Sequence, residues 1–499
     1  MVSALAAVGV GHGIAGLINP VASPIIAVGS TLIDAAPTPA KEFAVRTFGT
    51  ADKPILISSI GLVLLVFAAV LGLVAWRRRV VALVGISLLG IAGMAAAVAR
   101  GGPLDAVPSL AAGLVGVLAL RWLTTFPRHP NRALTERVDG LTSTGSSRRG
   151  LLLAMSATAA LAALGGLGGI ALGRARATSA AARRLLGLPK PMSPAQPLPA
   201  GVQIAGMTPF NTPTADFYRV DIALVTPRID ASSWTLTIDG MVDNPFTLTY
   251  DELLAMPMIE RDITLTCVSN EVGGQYVSST RWLGVPFSEI IRRAGVQSGV
   301  EQAYSYSSDS GYTCSTPYQA LTDGRDAMIV VGMNGEPIPD DHGYPARMLV
   351  PGLFGFVSAT KWLERIEFTT YAKRSAYWTD RKWATDAPIL VQSRIDLPKS
   401  LSTLPKDKPV IAGVAWAQHR GIEKVEIKID DGDWTPVKLA ADGGVDLWRQ
   451  WSYVYDGPAG QHQAQVRATD LNGETQPEER TKVFPSGARG WHQIVFNSE

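Results

Sequence analysis

The chain has 499 residues, a formal net charge of +2 and two cysteines, Cys267 and Cys314. So small a charge, with no Lys/Arg block interleaved with aromatics in the second half, argues against a nucleic-acid partner. Two cysteines exclude a disulfide framework and an iron–sulfur cluster held by this chain alone.

The composition is uneven, which divides the chain. Residues 1–173 are long uncharged runs of Ala, Leu, Val and Gly, whereas nearly all Tyr, Asp and Glu fall after residue 200. A helix needs about 20 apolar residues to cross a bilayer, and stretches at about 3–33, 54–75, 80–99, 105–122 and 150–173 approach or meet this. They predict an N-terminal α-helical membrane bundle of five spans. His12, Pro20 and Pro24 interrupt the first stretch, which is expected to be kinked or partly re-entrant. Arg77, Arg78 and Arg79 stand between the second and third spans, and Arg121, Arg128, Arg132, Arg137, Arg148 and Arg149 between the fourth and fifth. The positive-inside rule puts both connections in the cytoplasm. The N-terminus is then cytoplasmic, and everything after residue 173 lies outside the plasma membrane.

Ser147-Arg148-Arg149-Gly150-Leu151-Leu152, just before the last span, resembles a twin-arginine export signal, a route for folded proteins; two arginines obeying the positive-inside rule would look the same. Only His12 lies within the spans, so no haem is expected within this chain. Electrons that cross the membrane need a partner, and the spans otherwise serve as anchor and docking surface.

Residues 174–200 are basic, then rich in Ala and Pro, and read as a linker. Residues 201–387 mix short alternating runs such as Trp234-Thr235-Leu236-Thr237-Ile238 with a helical pattern at Phe287–Ala294, which predicts an α+β domain. Residues 388–499 read as strands alone. Lys424–Ile429 alternates with period two, Asp431-Gly432 supplies a turn and Trp434–Leu439 returns. Further strands are expected at 409–416, 447–454 and 462–469, with another turn at Asn472-Gly473. Roughly seven strands predict an immunoglobulin-like sandwich.

Chemistry concentrates in two segments. In Thr264-Leu265-Thr266-Cys267-Val268-Ser269-Asn270, a strand ends on a cysteine followed by a polar, glycine-bearing loop. This presents a soft thiolate suited to a metal such as molybdenum; a buried Cys serving as a small hydrophobe is the plainer alternative. The second runs Pro337–Arg347, then Val350-Pro351-Gly352-Leu353-Phe354-Gly355 and Ser358-Ala359-Thr360-Lys361-Trp362-Leu363. Glycine-rich turns there gather His342, Arg347 and Lys361 into a cradle for an anionic group, or into a surface charge cluster.

Together these segments resemble the molybdopterin-binding domain of the sulfite-oxidase family, in which a Cys within Thr-Leu-x-Cys-x-x-Asn ligates molybdenum and a His-Gly-x-Pro-x-Arg segment and a later Lys-Trp bind the pterin and its phosphate. Arg281-Trp282-Leu283-Gly284-Val285-Pro286 and Met333-Asn334-Gly335-Glu336-Pro337 follow the family order. The C-terminal part, with Gly413-Val414-Ala415-Trp416 and Arg467-Ala468-Thr469-Asp470, resembles the family's dimerisation domain. The resemblance covers about 205–495. It implies a molybdenum–molybdopterin cofactor with Cys267 as metal ligand. It gives Asn270, His342, Arg347, Ser358, Thr360 and Lys361, with Phe217, Tyr218 and Arg219 of the entry segment, to the cofactor and its surroundings. Arg219 is the residue expected to meet an anionic substrate, unless it pairs with Asp221 or Asp230. Cys314 is expected as a free thiol in a strand.

The chain departs from the family pattern in three places. Asn270-Glu271-Val272 stands where sulfite oxidases carry arginines, and an acidic residue there repels sulfite. Trp378 matches a family tryptophan, but Trp383 stands where the catalytic tyrosine is expected. The Arg347–Lys361 segment is one residue longer than usual. The expectation is oxygen-atom transfer coupled to two-electron redox on a small extracytoplasmic substrate, with Cys267, Arg219 and Trp383 at the reacting centre. Reduction of an S- or N-oxide is slightly favoured over sulfite-type oxidation, and a membrane binding module that has lost its metal is the non-enzymatic rival. The implied partners are the membrane, a small-molecule substrate, an external one-electron carrier such as a haem protein, and a second copy of the chain.

Overall fold

The computed structural model describes all residues except 38–39, 41–42, 44–46, 49–51, 125–147, 185–186, 203, 309–310 and 408, and omits the side chains of 52, 76, 148–149, 151 and 172–184. Arg128, Arg132, Arg137 and Ser147 of the twin-arginine motif therefore lie outside the described residues. The chain divides into one unit of Met1–Ala181 with Ala223–Pro227 and a second of Ala182–Ile222 with Arg228–Glu499.

The first unit contains α1 (Val2–Ile18), α2 (Pro24–Ala35), α3 (Asp52–Arg77), α4 (Arg79–Val98), α5 (Ala106–Leu123) and α6 (Arg148–Arg184). Four helical segments, Lys53–Ala75, Arg79–Val98, Pro103–Leu123 and Leu152–Ala171, are long and apolar enough to cross a membrane. The first apolar stretch is not one helix. It breaks at Asn19, whose side chain caps a short turn begun by Pro20, because proline lacks the N–H that would continue the helix. Helix ends sort into two sets. Arg79 donates to the Arg121 carbonyl at 2.9 Å. At the other end Asn19 donates to Asp105 at 3.2 Å and Arg100 pairs with Asp34. Small residues allow close helix approach: a Cβ at Gly13 would lie 2.9 Å from the Gly165 carbonyl oxygen, and one at Gly16 3.1 Å from Gly169 Cα.

The second unit has two layers of strand and a β-rich C-terminal part. Strands β1 (Thr235–Gly240), β2 (Phe246–Thr249), β5 (Gln302–Ser307), β6 (Thr313–Pro317) and β10 (Leu363–Thr369) form a mixed sheet in the order β2-β1-β10-β5-β6. Strands β3 (Ile259–Thr266), β4 (Val277–Pro286), β7 (Met328–Met333) and β8 (Glu336–Pro337) form another, with β9 (Arg347–Leu349) also on β7. Every residue of β7 is buried, as expected of a continuous apolar run covered on both faces. Leu236, Ile238 and Phe368 of the first sheet pack with Val285, Ile329 and Met348 of the second and with Ile290 of the helix Phe287–Ala294. This is the expected α+β layer arrangement.

The C-terminal strands β11 (Gln392–Leu397), β13 (Val410–Trp416), β16 (Lys438–Leu439) and β17 (Arg449–Val454) form one sheet; β12 (Thr403–Leu404), β14 (Ile422–Ile429), β15 (Thr435–Pro436), β18 (Gly460–Asp470) and β19 (His492–Ser498) form the other. Ile411, Ala415 and Trp451 from one sheet share a core with Val425, Val466 and Phe496 from the other. Nine strands occur among the described residues where about seven were expected: the expected return at Trp434–Leu439 is split into β15, which pairs with β14, and β16, which pairs with β17 of the other sheet. Trp416, Leu447 and Trp448 instead join the α+β core. Across this junction Gln418 donates to the Thr264 carbonyl at 3.1 Å and to Thr266 Oγ1 at 3.0 Å, and the Trp448 N–H donates to Thr264 Oγ1 at 2.9 Å. The free edge of β3, the strand that leads to Cys267, is thus satisfied from the C-terminal side.

Candidate active site

Cys267 lies one residue past the end of β3, where the chain turns towards β4. Its N–H donates to the Tyr276 carbonyl at 2.9 Å and its carbonyl accepts from the Asn270 N–H at 3.0 Å. Asn270 Oδ1 accepts from the Tyr276 N–H at 2.8 Å. The turn is thereby closed by backbone bonds and one amide, and the sulfur accepts the Ser269 N–H at 3.4 Å. Burial pushes the thiol pKa up, while Ser269 and the charge of Lys361 pull it down. Gly273 in the same loop adopts φ +78, and a Cβ there would overlap the His492 ring. Gly273→Ala is therefore expected to be destabilising through both the left-handed backbone, about 1–2 kcal/mol, and the ring clash. Thermal melts of the two proteins check this, and an unchanged melting temperature would show that the loop does not rest on His492.

The entry segment follows a short turn at Thr214–Asp216. Phe217 is buried against the Trp282 ring, with centroids 5.5 Å apart, stacks on Tyr218 at 5.3 Å and meets the His342 ring at 5.5 Å. The hydroxyl of the half-buried Tyr218 is held far above its usual range by desolvation and feels both Cys267 and Arg347. Phe217, Tyr218, Cys267, His342 and Arg347 are thus gathered in one place.

The cradle is built by backbone turns. Asp340–His342 forms a helical turn ended by Gly343 in the left-handed region, and Arg347 then enters β9. Its guanidinium donates to the His342 carbonyl at 3.0 Å and the Ala359 carbonyl at 3.3 Å and stacks over Trp282. Arg347 is 4% exposed, and burial pushes its pKa down to about 10, so it stays charged at neutral pH. Its Nε is buried without a hydrogen-bond partner among the described residues, as is Asn270 Nδ2. Unsatisfied buried donors are costly, and these two lie on the segments that carry Cys267 and the cradle.

Lys361 Nζ donates to Asp221 Oδ2 at 2.8 Å and to the Asp341 carbonyl at 2.9 Å. Burial holds its pKa below the usual range against the pull of Asp221. Arg219 Nε donates to the same Asp221 oxygen at 3.0 Å, and its Nη1 pairs with Asp341 Oδ1 at 3.0 Å. Arg219 therefore pairs with Asp221, the plainer of its two expected roles, whereas Asp230 instead accepts from Ser232.

Three candidates spend their polar atoms or surface elsewhere. Ser358 Oγ bonds the Leu353 and Phe354 carbonyls, both at 3.1 Å, closing its own turn. Thr360 Oγ1 meets Ser305 Oγ at 2.7 Å, beside the Cys314 thiol. Trp383 is buried in the core among Phe356, Trp378 and Phe484, its indole N–H without a hydrogen-bond partner among the described residues. Both cysteines are free and buried. Cys314 sits in β6 as expected.

Burial pushes His342 down to about 4, reinforced by Lys361 and Arg347. It pushes His492, whose Nδ1 accepts the Ile395 N–H at 2.9 Å, down to about 4 as well. Both are neutral in the native protein at pH 7. Between pH 6.5 and 4 the unfolded chain binds protons that the folded one refuses, so stability falls on acidification across that window. A melting series from pH 7 to 4 is expected to show the loss, and His342→Gln to make it shallower; a parallel slope in the variant would contradict the assignment.

Known proteins resemble this part of the chain. The family described as oxidoreductase molybdopterin binding domain matches residues 223–378. Human mitochondrial sulfite oxidase is 27% identical over 340 residues, 57% of this chain and 61% of that protein. The NADH nitrate reductase of Solanum lycopersicum is 29% identical over 339 residues, 54% of this chain and 37% of its own length. The match thus spans less than two thirds of either relative. The crystal structure of the sulfane dehydrogenase SoxCD from Paracoccus pantotrophus superposes with a TM-score of 0.49 at 20% identity, covering 61% of this chain and 93% of that one.

Proposed function

We propose that this chain, which carries a molybdopterin-oxidoreductase domain behind an N-terminal set of apolar helices, oxidises a small sulfur compound outside the cytoplasm and passes the electrons to a separate carrier. The observation that carries the reading is the convergence of the Cys267 thiol with two partnerless buried donors, Arg347 Nε and Asn270 Nδ2. That donor set fits a metal-bearing anionic cofactor: a soft sulfur for molybdenum and a buried guanidinium for a phosphorylated pterin. Molybdenum–molybdopterin, when bound, supplies exchange of an oxygen atom and two electrons with the substrate.

The residues of the chain do the rest. Cys267, as its thiolate, would hold the metal. Arg347, Asn270 and the neutral His342 would hold the cofactor's polar edge. The Phe217 and Tyr218 rings close one side against water, and Arg219 stands where a substrate oxygen would approach. The resemblance also gives Ser358 and Thr360 to the cofactor's surroundings.

The departures at Glu271 and Trp383 favour oxide reduction; similarity to sulfite oxidases over more than half the chain better supports the alternative, sulfite-type oxidation. Reduction of an S- or N-oxide stays as a second reading because Arg219 is paired with two aspartates and Glu271 is exposed beside Cys267, which disfavours an anionic substrate. Assays of the loaded chain with sulfite and a one-electron dye acceptor, and with an S-oxide and a reduced dye, separate the two. Turnover with neither contradicts both.

Placement in the membrane follows from charge. The Arg79 and Arg121 end is the cytoplasmic one, which puts the C-terminus of the last span, and the catalytic part, outside. With α1 as a crossing of about 26 Å at 1.5 Å per residue, the N-terminus is cytoplasmic and the spans number five. Export by the twin-arginine route, an immunoglobulin-like C-terminal domain that pairs two copies, and a haem protein as electron carrier complete the proposal.

A further inference from the structure

Two cations of the site, Arg219 and Lys361, are not free to meet an anion. Both donate to one oxygen, Asp221 Oδ2, at 3.0 and 2.8 Å. The Asp221 side chain is 5% exposed and that of Lys361 11%, so their attraction is poorly screened by water and salt. Arg219 is further held by Asp341, whose side chain is 52% exposed. Asp221 follows Arg219 by two residues but lies 140 from Lys361, so the fold alone joins the three. Arg347 differs: it bonds only carbonyls and keeps an unpartnered Nε.

We infer that Asp221 is the resident counter-ion of the site, holding Arg219 and Lys361 together and setting which oxyanions the site admits. An incoming tetrahedral oxyanion competes with this carboxylate for the same N–H groups and is repelled by its charge. The site therefore disfavours dianions and admits neutral or singly charged sulfur compounds more readily. Asp221 is a specificity-determining residue that acts through Arg219 and Lys361. This rests on the proposed function insofar as those two cations face the cofactor and substrate.

The test uses the full chain in detergent, with and without cofactor, and sulfate as the probe, followed by calorimetric titration. Asp221→Asn is expected to bind sulfate about tenfold tighter, the worth of one charge-assisted hydrogen bond regained, and Asp221→Glu to restore weak binding. Tightening in the loaded chain assigns the released cations to the substrate oxyanion; tightening confined to the cofactor-free chain assigns them to the cofactor's phosphate. Equal or weaker binding in both forms overturns the inference. Should Asp221→Asn not fold, Asp341→Asn decides alone, since its half-exposed carboxylate can be lost without burying a charge: tighter sulfate binding supports the inference and unchanged binding overturns it. Molybdenum content of the same preparations shows independently whether the cofactor reading holds.

Discussion

Cys267→Ser is expected to abolish turnover while leaving the protein folded. The sulfur accepts hydrogen bonds from Ser269 alone among the described residues, the backbone one a long 3.4 Å, and the turn is closed by the Cys267 and Asn270 backbone bonds, which serine keeps. The residue is 9% exposed and sits at the edge of the core, so trading sulfur for oxygen removes little packing. Stability should change by less than the 1 kcal/mol or so typical of point substitutions. Serine is a hard, poorly acidic ligand, so the metal loses its soft donor. The drop in activity should exceed the roughly 10–100-fold cost of losing an outer partner of a metal site. Steady-state assays beside a melting curve read both effects, and a Cys267→Ser protein with full activity would leave the cysteine as a buried hydrophobe.

Arg347→Met is the second large effect, and its direction follows from opposing magnitudes. Methionine leaves the His342 and Ala359 carbonyls without their donor, costing about 1–3 kcal/mol for each buried acceptor. It also removes a guanidinium whose burial costs several kcal/mol. The two oppose, so the melting temperature should move little. The ligand side has no such compensation: a charge-assisted bond worth roughly 1.5–3 kcal/mol disappears, which is about 10–150-fold in cofactor affinity. Pterin fluorescence after acid release should fall accordingly. A variant that melts normally and keeps its pterin would show that Arg347 braces its two carbonyls and nothing more.

How much of this was legible before the fold was known depends on whether the signal was local. The Cys267 loop, the helix Phe287–Ala294 and the hairpin at Asp431-Gly432 follow from short-range pattern: alternation and turn residues. The break at Asn19 was also readable, since Pro20 and Pro24 forbid a continuous helix. What stayed hidden depends on chain segments far apart in sequence. Asp221 could be seen beside Arg219 but not beside Lys361. Gln418 and Trp448 gave no hint that they would satisfy the open edge of β3, nor His492 that it would lie over Gly273. Trp383 invited a role at the site by its register, yet burial against Phe356 and Phe484 is a tertiary outcome that position cannot reveal. Thr360 and Ser358 carried the right chemistry, but their hydroxyls found partners within their own turn or behind the sheet.

The direct test of the central claim is the molybdenum and pterin content of the full chain purified from its own membranes. The account predicts close to one molybdenum and one pterin per chain, both retained through detergent exchange. Chain free of metal and pterin, from cells that make the cofactor, would contradict it and leave a membrane-anchored binding module on a molybdopterin-type fold.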